Sequence, residues 1–356
     1  MSNGRGMRRF ARVLVAALVL LLLAQALAYP TGYRPPARQG GGGVRRSPPA
    51  QQFPESPATP RPSASPKAKP KYPVRTLLSN GSPERKLDLV FVGDGYSDRE
   101  KAKFDARVQG CLALLWTLSP FRELKGKFNV HVVYIPSPKG SGWDDQGQRN
   151  PTESAFGLKD SPDRNVKIDA NPEQMRRIME ASKCAPGADA VVLLTTREGR
   201  SCAHLGNAVI LAERQIDAVG HELGHLIANL GDEYVEEGQT AGYGHSTANG
   251  DLPYANLQRR ALLNRSSRQS LKVTAKWGHL MALPGSDPLI GAFEGGHYAA
   301  FGVFRPSQDC HMRDHRSGDP FCPVCHEELY KAILARTDEA FQDSSYHANF
   351  PLSDWR

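Results

Sequence analysis

A chain of 356 residues can hold one large domain or two average ones, and no internal repeat divides this one. Its formal net charge of +8 is unevenly placed: residues 1–28 carry +4 and residues 29–75 carry +8, which leaves −4 on 76–356. The basic excess therefore belongs to the leading segments, and with no nucleic-acid-binding motif in the chain it does not indicate a nucleic-acid partner.

The chain opens with Arg5, Arg8, Arg9 and Arg12, followed by an apolar run from Val13 to Ala28 that only Gln25 interrupts and that closes Ala26-Leu27-Ala28. A basic start, an apolar centre and a small-x-small end predict a signal peptide over 1–28, cut after Ala28, and hence a secreted protein. The run is shorter than the about 20 apolar residues that a membrane span needs. Residues 29–75 are rich in Pro, Gly, Ser and Ala, include the run Gly40–Gly43 and show no apolar period. Such a segment buries too little surface to offset its ordering entropy, which predicts a disordered, partly polyproline linker. Its positive charge suits at most a weak association with an anionic surface.

From Leu77 onward strands and helices alternate. Leu87–Val92 reads as a buried strand closed by Gly93-Asp94-Gly95, and Ser97 with Glu100 forms a capping box that opens a helix towards Trp116. Phe128–Ile135 alternates like a strand; Ala188–Leu194 and Asn207–Leu211 are short apolar runs of the buried kind. This order predicts an α/β domain over 76–340 with helices on a mostly parallel sheet, followed by a C-terminal tail at 341–356. Six cysteines fall in this region, namely Cys111, Cys184, Cys202, Cys310, Cys322 and Cys325. An even count behind an export signal predicts up to three disulfides, and proximity suggests Cys184 with Cys202 and Cys310 with Cys322 or Cys325.

The chemistry concentrates between Gln215 and Leu230, where Ile216, Val219, Leu223, Leu226, Ile227 and Leu230 mark the apolar face of a helix. That helix contains His221-Glu222-Leu223-Gly224-His225. Residues four apart on a helix are neighbours, so both imidazoles can reach one metal ion, with Glu222 beside the first. A catalytic zinc needs three protein ligands and an open position for the attacking water, whose proton Glu222 is placed to take and pass to the leaving amine. For the third ligand, Gly231 suits a left-handed helix end that turns the chain back and presents Asp232. Glu233 is the nearest rival, and His245 and His297 stand further off.

The stretch HELGHLIANLGDEY, His221–Tyr234, resembles the signature of the IgA-peptidase family of metzincin-like metallopeptidases. Asp88–Glu100 (DLVFVGDGYSDRE), Glu294–Pro306 (EGGHYAAFGVFRP) and Cys310–Cys325 (CHMRDHRSGDPFCPVC) extend the similarity over most of residues 80–340. The resemblance implies a peptidase with one zinc ion per chain and polypeptide substrates, a twisted sheet above the active-site helix, and a methionine turn at Met312 beneath the metal. The broader metzincin pattern has a glycine three residues after the second histidine and a ligand six after it; here Ala228 and Gly231 stand at those positions, and Asp232 comes one residue late. Asp314 stands where some metzincins place a tyrosine near the metal, and Tyr298 is only a weak substitute that reads more readily as a packed aromatic in a Gly-rich loop.

Cys322-Pro323-Val324-Cys325-His326 also matches the c-type haem attachment pattern, although Cys310 nearby offers these cysteines a disulfide partner instead. Two other functions use the same motifs: a catalytically silent zinc-binding or adhesion domain, and a zinc amidase acting on cell-wall peptides. A site that is only structural needs no general base, so Glu222 argues against the first.

Overall fold

In the computed structural model residues 72–140, 153–204, 208–236 and 251–355 are described. The expected signal peptide, the expected linker as far as residue 71, and His245 lie outside them. Strands β1 (Val74–Leu78), β2 (Leu87–Asp94), β3 (Phe128–Val133), β4 (Ala190–Thr195), β5 (Cys202–His204) and β6 (Ala208–Ala212) form one sheet in the order β1-β3-β2-β4-β6-β5. The four inner strands run parallel and the two edge strands antiparallel, so the mostly parallel α/β sheet is present. β1 starts inside the segment expected to be linker, with Val74 paired to Val133.

The helices are α1 (Lys101–Leu115), α2 (Pro172–Ser182), α3 (Val219–Ala228), α4 (Arg268–Thr274), α5 (Gly278–Met281), α6 (Pro323–Arg336) and α7 (Asp343–Asn349). Every residue of β2, β3, β4 and β6 is buried, as strands covered on both faces require. Leu87, Leu89 and Phe91 pack into the layer that holds α1, α3 and α6; Val90 and Val92 pack into the opposite layer with α2. The alternation read in Phe128–Ile135 is therefore not a solvent face. Asn129 and His131 are buried beside Asp88, whose Oδ1 lies 3.0 Å from Asn129 Nδ2 and 3.0 Å from His131 Nε2.

At the end of β2, Asp94 accepts hydrogen bonds from Thr195 Oγ1 (2.8 Å) and Ser154 Oγ (2.7 Å), although burial raises its pKa. Gly95 follows with φ 81°, and a Cβ there would stand 1.9 Å from Thr196 Oγ1, so only glycine fits. A second, antiparallel sheet orders β7 (Gln258–Arg259), β9 (Ala299–Arg305) and β8 (Phe293–Gly296). The expected tail also folds: Tyr346 of α7 packs on His326 and Tyr330, and Trp355 donates to Phe321 O.

The helix expected over Gln215–Leu230 begins as a 3-10 turn at Ile216–Ala218 and continues as α3 to Ala228. Its left-handed end is Asn229 (φ 49°, ψ 42°), not Gly231. Gly231 has a different reason to be glycine, because a Cβ there would lie 2.4 Å from Leu257 and 2.8 Å from the Tyr254 ring. The turn-back of the chain was expected; the residue that makes it is two positions earlier.

Candidate metal centre

One turn of α3 separates His221 and His225, and their Nε2 atoms stand 3.1 Å apart. Asp232 Oδ1 lies 3.0 Å from His221 Nε2 and 3.2 Å from His225 Nε2. The opposite ring nitrogens face carbonyls, which only accept: His221 Nδ1 donates to His311 O (3.3 Å) and His225 Nδ1 to Leu230 O (2.6 Å). Each Nε2 is thereby left as a lone-pair donor directed at Asp232. Two such lone pairs and a carboxylate at this spacing repel unless a cation or a proton lies among them. Burial opposes charge on His225, but the Asp232 carboxylate outweighs it and lifts the imidazole pKa to about 9. Burial likewise opposes ionisation of Asp232, yet His225 and His221 hold its pKa well below the usual carboxylate range. The edges of this triangle are close to the about 3.3 Å that separates tetrahedral ligands with bonds of about 2.0 Å, so the donor set fits a divalent metal.

Several segments deliver Asp232. Asn256, buried, accepts from Gly231 N (2.8 Å) and donates to Gly231 O (2.9 Å), clamping the residue before it. His297 N donates to Asp232 O (2.7 Å), Tyr298 N to Tyr234 O (3.1 Å) and Glu236 N to Tyr298 O (3.1 Å), so residues 232–236 run beside 297–298 as a short parallel ladder. That ladder brings the Tyr298 hydroxyl to Asp232 Oδ2, to which it donates. Tyr298 is thus neither a simple packed aromatic nor a distant residue; it occupies one carboxylate oxygen and leaves Oδ1 facing the two imidazoles.

Of the rivals for the third position, Glu233 and His297 are not in this group. Glu233 turns away, its Oε1 accepting from Asn256 Nδ2 (2.9 Å) and Cys325 Sγ (3.1 Å). The ring of His297 lies between those of Tyr254 and Tyr298. Glu222 is 6% exposed, and its carboxylate makes no hydrogen bond or ion pair with the described residues. It lies towards β5, where burial, reinforced by the Glu222 charge, pushes the Cys202 thiol up to about 12.

Under the two histidines, a Cβ on Gly224 would stand 2.9 Å from Met312 Sδ. Met312 is fully buried, and its carbonyl accepts from Glu233 N (3.0 Å). One dipeptide, His311-Met312, therefore braces both His221 and the segment that carries Asp232. Asp314 is an exposed turn residue whose Oδ1 accepts from Arg316 N (2.9 Å). His315, which lies in the Cys310–Cys325 stretch but was given no role there, has its ring 5.4 Å from that of His221 and a buried Nε2 without a hydrogen-bond partner.

The cysteines correct one expectation. All six are free thiols, so the suggested disulfides are not formed. The same geometry does not favour haem attachment at Cys322–His326, because both His326 nitrogens are engaged, with Ser119 Oγ (2.7 Å) and Tyr346 OH (2.7 Å), and both thiols are buried.

An α/β sheet carrying an HExxH helix, with both imidazoles closed by an aspartate, defines a metal-dependent hydrolase. The family model described as IgA Peptidase M64 matches residues 76–289 and 271–333, more than half of the chain, and the chain belongs to that family. It is therefore a metallopeptidase that acts on polypeptides. No curated protein matches it.

Asn256 and the carboxylate-holding role of Tyr298 had no local signal. Each acts across a sequence separation of at least 23, and an isolated Asn or Tyr in a loop carries no period or spacing to mark it.

Proposed function

We propose that this chain is a secreted zinc metalloendopeptidase that cleaves extracellular proteins. The observation that carries the reading is the convergence of His221 Nε2, His225 Nε2 and Asp232 Oδ1 at 3.0–3.2 Å beside the buried Glu222. Two imidazoles and a carboxylate suit zinc, and three protein donors leave one position open, as a catalytic site requires. When bound, zinc supplies Lewis-acid polarisation of the scissile carbonyl and acidifies water. Glu222 takes the proton of the attacking water on its carboxylate and delivers it to the nitrogen of the leaving amine. A carboxylate with no competing hydrogen bond supports that role. The bonds from Nδ1 to His311 O and Leu230 O orient the two rings, and Tyr298 orients Asp232. We read Met312 as the methionine turn of a metzincin-like domain, and its contact beneath Gly224 supports this. Export rests on the signal-peptide pattern of residues 1–28, and the basic segment after it provides at most weak surface association.

The test is casein hydrolysis by the full chain with and without a chelator, alongside Glu222→Gln. The variant should keep its metal and lose at least about 100-fold in rate; unchanged hydrolysis would sink the assignment of the base. Metal without any cleavage by the unaltered protein would favour the silent zinc-binding domain or the cell-wall amidase.

A further inference from the structure

A second convergence of donors lies on the other side of the Asp232–Glu233 turn. The Sγ atoms of Cys310, Cys322 and Cys325 and one carboxylate oxygen of Glu233 all lie within 4.8 Å of one another. Cys310, Cys325 and Glu233 are wholly buried and Cys322 is 3% exposed. We propose that these four side chains form a closed, structural site for a thiophilic divalent cation, zinc above all, separate from the centre on His221 and His225.

Three observations carry this. The donor set is complete, since three thiolates and a carboxylate fill a tetrahedral shell and leave no open position, as in structural zinc sites. The local backbone suits thiolate ligands: Cys322 is the N-cap of the 14-residue α6 and Cys325 lies in its first turn. Cys310 Sγ accepts from Cys322 N (3.3 Å) and Met312 N (3.5 Å). Finally, Glu233 Oε2 is buried with no hydrogen-bond partner. A carboxylate oxygen stranded in this way is costly, and a cation bound by the cluster compensates it. A disulfide among the three cysteines would leave one thiol over and would do nothing for that oxygen.

The site also has a structural consequence. Glu233 directly follows Asp232 and donates its N–H to Met312 O, and Cys310 is two residues before Met312. A cation held there fastens the 232–233 turn, the 310–312 turn and the start of α6 to one another, and so positions Asp232 for the catalytic centre.

The experiment uses the full chain carrying His221→Ala and His225→Ala, purified with zinc and assayed by metal mass spectrometry. We expect one zinc per chain in this variant and two in the unaltered protein, with the retained ion released by an organomercurial. Cobalt substitution should give an intense thiolate-to-cobalt charge-transfer band that Cys325→Ser weakens. An absence of metal from the double-histidine variant overturns the proposal, as does a disulfide between any two of the three cysteines in a non-reducing peptide map. If either variant fails to fold, the cobalt spectrum of the unaltered protein decides: a thiolate band supports the site and its absence overturns it. Equal metal content in the unaltered and double-histidine proteins would instead remove the histidine centre and leave this one standing.

Discussion

Gly224 stands between the two histidines on α3, where glycine costs about 1 kcal/mol relative to alanine in helix preference. Its place is explained by contact rather than propensity, because an added Cβ would meet Met312 Sδ at 2.9 Å and Leu230 Cδ1 at 3.4 Å. Gly224→Ala should therefore destabilise the domain by about 1–3 kcal/mol, as overpacking does, despite the better helix former; thermal melts of the two proteins at equal metal loading check this. Tyr298 acts at the same scale. Tyr298→Phe removes the donor from Asp232 Oδ2 while keeping the ring contact with Tyr234. Loss of such an outer partner typically weakens a metal site about 10–100-fold, which competition with a chromogenic chelator measures. An unchanged affinity would mean that the hydroxyl does not orient the ligand.

At the scale of elements, α3 depends on α6 for its end. Arg336, in the last turn of α6, donates Nη2 to Leu226 O and Ile227 O, both at 3.2 Å, and Nη1 to Asp189 O at 3.3 Å. The Leu226 and Ile227 carbonyls belong to the last turn of α3, where no residue within the helix can satisfy them, and a guanidinium there also opposes the negative end of the helix dipole. Arg336→Met keeps the aliphatic stem and removes the donors. It should lower stability by about 1–2 kcal/mol, seen as a reduced urea midpoint at unchanged slope. The apolar face of α3 and the capping box before α1 were legible because both are local patterns. The end of α3 was read at Gly231 because glycine is the usual left-handed residue, whereas Asn229 takes that conformation with its side chain held by Pro253 O at 2.8 Å.

Across the whole molecule, metal and proton compete for one place. With no metal bound, Asp232 raises the pKa of His225 to about 9 against the effect of burial, so the imidazole carries a proton at neutral pH. A metal ion must displace it, and below about pH 9 the apparent affinity should fall as pH falls, by about tenfold per unit for one proton. Zinc competition titrations at pH 8 and pH 6 should therefore differ by at least about 100-fold, and a flat profile would contradict the His225–Asp232 pairing. The same linkage makes the melting temperature depend on free metal, with a chelator lowering it by mass action.

The sequence by itself determined the buried parallel strands and the pair of histidines on one helix, because both follow from short-range rules: apolar runs between turns, and the proximity of residues four apart. It favoured Asp232 over Glu233 without fixing the choice. Neighbouring side chains in an extended segment point to opposite sides, and which side faces the histidines depends on Asn256, His297 and Tyr298, 23–66 residues further along the chain. Only the tertiary structure sends Asp232 to the imidazoles and Glu233 to the three cysteines, because only there do those distant partners come together.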